Sequence, residues 1–339
     1  EKMRNIYDLT IKELEDYFIS INEKKFRAVQ VYEALYKRRI KSFDDMTNIS
    51  KEVREKLKQD FSFYKIKMLI KQKGKNVNKY LFELEDGNKI ESVLMFHDYG
   101  TSICVSSQVG CNMTCAFCES GRLKKVRNLL AYEIVQQILQ IEEDINKRIT
   151  HVVLMGIGEP FDNYDNVLRF VKIINCGKGI DIGSRHITIS TCGVIPGIKK
   201  FMNEEGQVNL AISLHAPNDT LRSRIMPINK AYPLNELMET IKEYINKTNR
   251  RVTFEYIMLD NVNDSEENAK ELALLLKGIN CYVNLIPYNE TENIEFKRTK
   301  EWKIMKFYDI LKKNKINVTI RKEFGGSVDA ACGQLRANN

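Results

Sequence analysis

Hydrophobic and polar positions follow two rhythms along the chain, and the change falls near residue 100. In residues 1–64 the apolar positions Leu14, Phe18 and Ile19, then Val29, Val31 and Leu35, recur at helical spacing and predict short amphipathic helices. No Gly or Pro interrupts the chain before Gly74. Residues 65–73 alternate (Lys65, Ile66, Lys67, Met68), the pattern of an exposed strand. Lys79 to Leu84 and Lys89 to Phe96 then flank Asp86-Gly87-Asn88 and predict a hairpin. Beyond residue 100, apolar runs at 101–106, 151–156, 186–191, 208–214, 252–258 and 281–287 read as buried strands. Helical patterns near 132–147, 164–175, 195–204, 234–247, 265–277 and 300–313 separate or follow them. Pro196 sits near a helix start, Asp264 or Ser265 is a candidate N-cap, and Gly278 ends a helical run. Six β/α units predict a parallel sheet, either open and doubly wound or a partial barrel. The expected organisation is a basic helical domain (1–64), a strand and hairpin linker (65–99) and a β/α domain (100–339).

Composition narrows the classes. With 339 residues, 43% hydrophobic and 29% charged, the chain is globular and long enough for two domains. No apolar run approaches the roughly 20 residues that span a bilayer, and no secretory signal pattern opens the chain, so no membrane association and a cytoplasmic location are expected. The net charge of +8 is unevenly spread. Residues 1–80 hold 20 Lys and Arg against 12 Asp and Glu, whereas residues 81–339 hold 33 of each sign. Such asymmetry fits a polyanion-binding arm, and charge alone does not separate that from a solvated Lys-rich surface.

The chemistry lies in the cysteines. Of eight, Cys111, Cys115 and Cys118 form a C-x3-C-x2-C run in a loop just after the first strand of the β/α series. Three close thiolates suit zinc or an iron–sulfur cluster. Zinc calls for a fourth ligand, and no Cys or His follows within thirty residues. A 4Fe–4S cluster on three cysteines leaves one iron open to a small molecule. Cys176, Cys192 and Cys281 read as packing residues, and His97, His151 and His186 lack a metal-ligand partner at useful spacing.

This run resembles the signature of the radical S-adenosylmethionine (SAM) superfamily, whose members fold as partial (β/α)6 barrels. Gln108-Val-Gly-Cys111, Met155-Gly-Ile-Gly-Glu-Pro160, Ser213-Leu-His-Ala-Pro217, Met226-Pro-Ile-Asn229 and Ala331-Cys332-Gly-Gln-Leu335 narrow the resemblance to the RlmN/Cfr family over nearly the whole chain. The family methylates an adenosine in the peptidyl-transferase centre of 23S rRNA. The resemblance implies a 4Fe–4S cluster on Cys111, Cys115 and Cys118, and two SAM molecules per turnover. It places cofactor contacts at Gly158, Glu159, Ser190, Ser213, Leu214, His215 and Asn289, each at or beside the C-terminal end of an expected strand, where β/α folds place their sites. A carboxylate at Glu159 would receive the ammonium of SAM. The implied chemistry runs through S-methylcysteine at Cys332, a radical at that methyl group, and a transient protein–RNA adduct. Cys104 would help deprotonate the adduct and form a transient disulfide with Cys332. Glu91 aligns with a family proton acceptor, although a Glu on a hairpin is ordinarily solvated.

The basic segment then gains a partner. Lys24, Lys25, Lys37, Arg38, Arg39 and Lys41 are candidate phosphate contacts, with Tyr36 and Phe43 as possible aromatic ones. Within the family, RlmN methylates adenine C2 and is linked also to a tRNA adenosine, whereas Cfr methylates C8 and confers antibiotic resistance. Gly158-Glu159-Pro160-Phe161-Asp162-Asn163 and His215-Ala-Pro217 favour the C2 type, while Glu119-Ser-Gly121-Arg122 and Tyr256-Ile-Met-Leu259 depart from it. A flavodoxin-type electron donor is implied, and a monomer is expected. A radical SAM enzyme on a non-RNA substrate, and an RNA-binding module with structural zinc, remain the competing readings.

Overall fold

The structure is a computed structural model that describes residues 2–321. Its centre is one ten-stranded sheet. The strands are β1 (Lys67–Lys73), β2 (Val77–Glu83), β3 (Lys89–His97), β4 (Gly100–Cys104), β5 (His151–Leu154), β6 (Ile187–Thr191), β7 (Asn209–Ser213), β8 (Val252–Met258), β9 (Cys281–Pro287) and β10 (Val318–Ile320). Their spatial order is their chain order. β1 to β4 pair antiparallel, and β4 to β10 pair parallel.

The six expected parallel strands are present, and a seventh, β10, joins the far edge. Helices α4 (Ala131–Ile145), α5 (Tyr164–Asn175), α6 (Ile195–Phe201), α8 (Leu234–Thr248), α9 (Glu266–Leu276) and α10 (Glu301–Lys313) connect the parallel strands. A short α7 (Asp219–Ile225) precedes α8. Each start and stop has a local cause. Ser265, not Asp264, caps α9 by accepting the Asn268 N–H at 3.0 Å. α8 ends at Asn249, whose φ of 55° lies in the left-handed region.

Period-two geometry sorts each strand into two faces. In β9, Cys281, Val283 and Leu285 are buried, while Tyr282, Asn284 and Ile286 are half-buried. Asn284 and Ile286 face the bore of the curled sheet, as Thr188 and Ser190, Ala211 and Ser213, and Glu255 and Ile257 do on other strands. Side chains two apart thus face opposite ends of one bore.

The antiparallel strands, expected as a strand and hairpin linker, pair through β4 with the parallel strands. They continue the barrel sheet, and β2 and β3 supply one wall of its upper cavity. The N-terminal helices α1 (Ile11–Ser20), α2 (Arg27–Tyr36) and α3 (Lys51–Asp60) share one hydrophobic core with the barrel. Thr10 and Glu13 form a capping box on α1. Asp8 reaches across to accept the Tyr132 N–H at 2.9 Å, capping α4 from the neighbouring unit. Glu13 pairs with Arg169 of α5. No described helix is long and apolar enough to cross a membrane.

Candidate active site

At the C-terminal end of the bore lies a cavity of about 330 Å³, within the range of small-molecule sites. The cysteine loop forms one side of it. Gln108–Val109 pairs antiparallel with Arg127–Asn128 and closes that loop at its base. Gly110 makes the turn with φ +75°, and a Cβ there would lie 2.1 Å from the Lys124 carbonyl oxygen, so only glycine fits. The Cys111 N–H donates to Leu123 O at 2.9 Å, and the Ala116 N–H donates to Ile225 O at the end of α7 at 2.9 Å.

Cys111, Cys115 and Cys118 are half-buried and face this cavity. Burial pushes the Cys111 thiol up to about 11 and the Cys115 thiol higher, and the neighbouring sulfurs push the same way. Thiols enclosed like Cys111 and Cys115 ionise together only beside positive charge. Among the described residues, no three Cys, His, Asp or Glu side chains gather around one point as a single metal ion requires. A four-iron cluster engages each cysteine through a different iron, so the donor set fits a cluster better than structural zinc.

The loop after β5 faces the cysteines. Gly156 and Gly158 let it lie against the first strand-to-loop crossing. A Cβ at Gly156 would meet Ser106 N at 2.7 Å, and Gly158 has φ +110° with Gln108 Cβ 2.6 Å from its would-be Cβ. Glu159 is buried, and burial raises its carboxyl above the usual range. Its carboxylate accepts from Cys192 N–H (2.7 Å), Thr191 hydroxyl (3.1 Å) and Phe161 N–H (2.8 Å). The Cys192 side chain approaches the same carboxylate, so Glu159 braces the β5 and β6 loops through its protein donors.

Ser190 and Ser213 line the cavity, and so does Asn289 beyond β9. His215 stands in the left-handed region at φ 60°. Its Nδ1 accepts the Ile257 N–H at 2.9 Å, so the assigned ring proton lies on Nε2. Burial, then the Arg222 charge, push its pKa down to about 3; the imidazole is neutral at working pH. Leu214 can meet a ligand only through its backbone. Its side chain is wholly buried in the barrel core and does not line the cavity. Only its backbone is near the site, where its carbonyl accepts from Arg222 Nε at 3.0 Å.

β2, β3 and β4 make the opposite wall. Cys104 is buried at the end of β4 and faces the cavity. Glu91 also lines it, and here the solvated-hairpin expectation fails. Glu91 is 2% exposed, and its Oε1 lies 3.2 Å from Nζ of Lys79, which is fully buried. Antiparallel register places the two on one face of the wall. Cys332 lies outside the described residues.

Sequence reasoning missed three contributors. Lys79 sits in an alternating strand, where a lysine reads as solvent-facing. Arg222 is fully buried and donates to the carbonyls of Cys192 (2.6 Å), Ser213 (3.0 Å) and Leu214 (3.0 Å), tying the ends of β6 and β7 together. Cys192, read as a packing residue, lines the cavity. By contrast, Cys281 is buried in the hydrophobic core, and Cys176 packs against it.

The histidines set aside as structural cluster away from this site. His151 stacks on His186 at 4.1 Å, and Tyr99 contacts both His97 and His151. In the basic segment, Arg38 and Lys41 are exposed. Lys37 Nζ reaches Gly177 O at 3.3 Å. Arg39 pairs at 2.6 Å with the buried Glu142 of α4, and so serves a contact between the two units. Tyr36 and Phe43 are buried core residues, which removes them as aromatic RNA contacts.

Comparison with known proteins agrees with this geometry. Residues 4–62 match the ribosomal RNA large subunit methyltransferase N-terminal domain, and residues 105–273 match the radical SAM superfamily. The chain is 53% identical over 341 residues to the probable dual-specificity RNA methyltransferase RlmN of Spiroplasma citri, covering 99% of this chain and 98% of that one. It is 54% identical to the protein of that name from Enterococcus faecalis, covering 98% and 96%. A radical SAM methyltransferase from Sphaerobacter thermophilus has the same fold, with a TM-score of 0.92, 40% identity and 98% coverage of both chains. The chain belongs to the RlmN family of radical SAM methyltransferases.

Proposed function

We propose that the protein methylates C2 of an adenosine in the peptidyl-transferase centre of 23S rRNA, and also a tRNA adenosine. One observation carries the reading. A single cavity is bounded on one side by the three cluster-type cysteines and on the other by Cys104 with the Glu91–Lys79 pair. A radical SAM enzyme on a peptide or metabolite has no need of that second wall. The printed names of the relatives support an RNA substrate of two kinds.

In this reading Cys111, Cys115 and Cys118 hold the 4Fe–4S cluster, and the loops of Gly158, Glu159, Ser190, Ser213, His215 and Asn289 hold SAM. Bound there, cluster and SAM supply the radical, and two SAM molecules are used per turnover. A ring CH carbon is not a nucleophile, so methyl transfer needs a carrier, and Cys332 is that carrier. Cys332 accepts a methyl group as S-methylcysteine and becomes linked to the adenine. Glu91 Oε1, held by Lys79, is positioned to take a proton from that adduct. The Cys104 thiolate then attacks the Cys332 sulfur: the S–S bond forms as the bond from that sulfur to the methylene carbon breaks, and the carbon leaves with the electron pair and takes a proton, which frees the methylated base. His215, neutral and fixed by the Ile257 N–H, orients the cofactor without adding charge. Exposed basic residues of the N-terminal unit, Arg38 and Lys41 foremost, dock phosphates. The target base leaves its stack to reach the cavity. Reduction is by a flavodoxin-type donor, and the enzyme works as a cytoplasmic monomer.

The test is mass spectrometry of 23S rRNA fragments and tRNA after anaerobic reaction with SAM and a reductant. C2-methyladenosine is expected. A product at C8 would assign the Cfr type, and unmodified RNA with an iron-loaded protein would overturn the RNA reading. Cys104→Ala should accumulate a covalent protein–RNA adduct, and free product at the normal rate would remove its release role.

A further inference from the structure

Three carboxylates line the upper cavity, and the protein has satisfied them to different degrees. Glu91 pairs with Lys79 at 3.2 Å. Glu159 accepts from Thr191, Cys192 and Phe161. Glu119 is 1% exposed, and its Oε2 accepts from Arg122 Nη1 at 3.3 Å. Its Oε1 is buried and has no hydrogen-bond partner among the described residues. Native folds rarely leave a buried carboxylate oxygen empty, because that oxygen has given up its water without return. On a residue that lines a small-molecule cavity, such an oxygen is an acceptor that a donor from the ligand can complete.

The local backbone fixes where this acceptor stands. Glu119 follows Cys118 directly and opens a short 3-10 turn, Glu119–Arg122. The Gly121 N–H donates to Cys118 O at 3.0 Å. A Cβ on Gly121 would lie 2.8 Å from the Cys115 carbonyl oxygen, so the turn is pressed against the cysteine loop. Glu119 therefore belongs to the cysteine side of the cavity, and the wall of Glu91 and Cys104 bounds the other. The lining on the cysteine side is largely apolar. Phe117, two residues before Glu119, faces the cavity with Tyr288, whose hydroxyl donates to Phe117 O at 3.3 Å. The Phe117 ring stands edge-on to His215, with centroids 4.9 Å apart. Met226 and Ile257 line the cavity within the same apolar cluster. Apolar faces with a carboxylate at their edge suit a flat heterocycle that bears an amine. Within SAM that group is adenine. The amino-acid end and the sulfonium carry charge and gain nothing from apolar contact.

We propose that Glu119 binds the adenine end of SAM, its Oε1 accepting from the exocyclic amine while Arg122 holds Oε2. This deepens the function proposed above and rests on SAM being the cofactor of this cavity. It gives a role to the Glu119-Ser-Gly121-Arg122 stretch, which departs from the C2-type pattern. It also divides the work of two acids: Glu159 braces loops, and Glu119 reads the base.

The experiment measures binding and not turnover. It uses the full chain with its cluster reconstituted, anaerobic and without reductant, in a Cys332→Ala background, so that SAM is neither cleaved nor used as a methyl donor. Equilibrium dialysis gives the dissociation constants of SAM and of an analogue whose adenine 6-amino group is replaced by hydrogen. The parent should prefer SAM by about ten- to a hundredfold, the usual worth of a hydrogen bond to a charged group. Glu119→Ala should weaken SAM by about that factor and leave the analogue within about twofold, which erases the preference. Glu119→Gln keeps an oxygen without the charge and should retain part of it. Iron content and the visible spectrum of the cluster are read on the same samples and should match the parent. Equal binding of SAM and the analogue by the parent overturns the proposal. So does a Glu119→Ala protein that weakens both ligands alike, or neither. Should Glu119→Ala lose its cluster, Glu119→Gln decides: a narrowed preference supports the contact, and an unchanged one overturns it. Absence of RNA methylation by the wild-type enzyme would sink the proposed function and leave these affinity ratios intact.

Discussion

The two ends of the barrel bore are built from the same strands and differ in almost everything else. The C-terminal end is a cavity of about 330 Å³, closed by long loops and lined by thiols, small hydroxyls and buried acids. The N-terminal end is wider, about 990 Å³, and carries Arg185, Arg250 and Arg251 with several asparagines. Along one strand the change takes two residues, as from Thr188 to Ser190 or from Glu255 to Ile257. The contrast shows where positioning comes from. At the upper end almost every polar atom is held by a second one. Glu159 is held by donors from Thr191, Cys192 and Phe161, Arg222 by backbone carbonyls of three residues and Asn229, and Glu91 pairs with Lys79. At the lower end Arg185 and Arg250 rest on the neutral side-chain oxygens of Gln207 and Asn209, and Arg251 lies over the Tyr282 ring. Buried, cross-braced groups keep reacting atoms in place, whereas a solvated rim needs only to stay soluble.

That contrast can be broken most severely at the cysteine loop. Cys115→Ser should abolish iron retention and RNA methylation together while the apo protein keeps its thermal unfolding transition. Arg250→Ala at the other end should leave iron content and methylation within about twofold of wild type, as surface changes usually do. Comparable losses from both substitutions would mean the ends are not functionally distinct.

The buried ion pair comes next. Lys79→Met should destabilise the protein in denaturant unfolding, because it removes a buried positive charge beside the Glu91 carboxylate. Lys79→Met combined with Glu91→Leu should recover most of that stability and none of the activity. Equal destabilisation by the single and double changes would show that packing, and not the ion pair, sets the cost.

A smaller effect should appear in the pH dependence of stability. His215 is held near 3 in the folded protein, against an ordinary histidine value of about 6.5. Between those values the unfolded chain binds the extra proton, so this residue's contribution is complete above about pH 6.5 and is lost as pH falls toward 3. His215→Gln should flatten the acid limb of a stability–pH curve. At the lower end His151 is lowered too, first by burial and then by His186 and His97, but it is partly exposed, and His151→Asn should flatten the curve less. The reverse order would contradict the burial difference between the two ends.

The smallest effect is expected outside the bore. Arg38→Glu with Lys41→Glu should weaken RNA binding at low salt and reduce the dependence of log affinity on log salt by about one for each phosphate released from the protein. Arg39 is left out because it holds Glu142, and changing it would test the joint between the two units instead.

Much of the barrel was legible because its strands are long, apolar and separated by helices with caps, so periodicity and punctuation agree. β10 escaped because three residues carry no period, and α7 because seven carry barely two turns. The thiol loop and the glycines after β5 were legible because their chemistry forces residue type. Glu91 and Lys79 were half legible: both were visible as charges, but alternation assigns such residues to solvent, and only the sheet shows that the outward face of the hairpin is the inner wall of the cavity. Arg222 was invisible for a related reason. A lone arginine on a short helix reads as surface until the carbonyl ends of two strands are found around it. The charge count is too coarse within the basic segment, since Arg39 is committed to Glu142.

The sequential order of the sheet also bears on how the molecule is made. Each strand lies beside the one synthesised just before it, so a nascent chain emerging from the ribosome can extend the sheet one edge at a time, with every pairing partner already present. The wall with Glu91 and Cys104 precedes the parallel strands β5 to β10 in the chain. That wall can therefore form before the cysteine loop and the later strands that close round it.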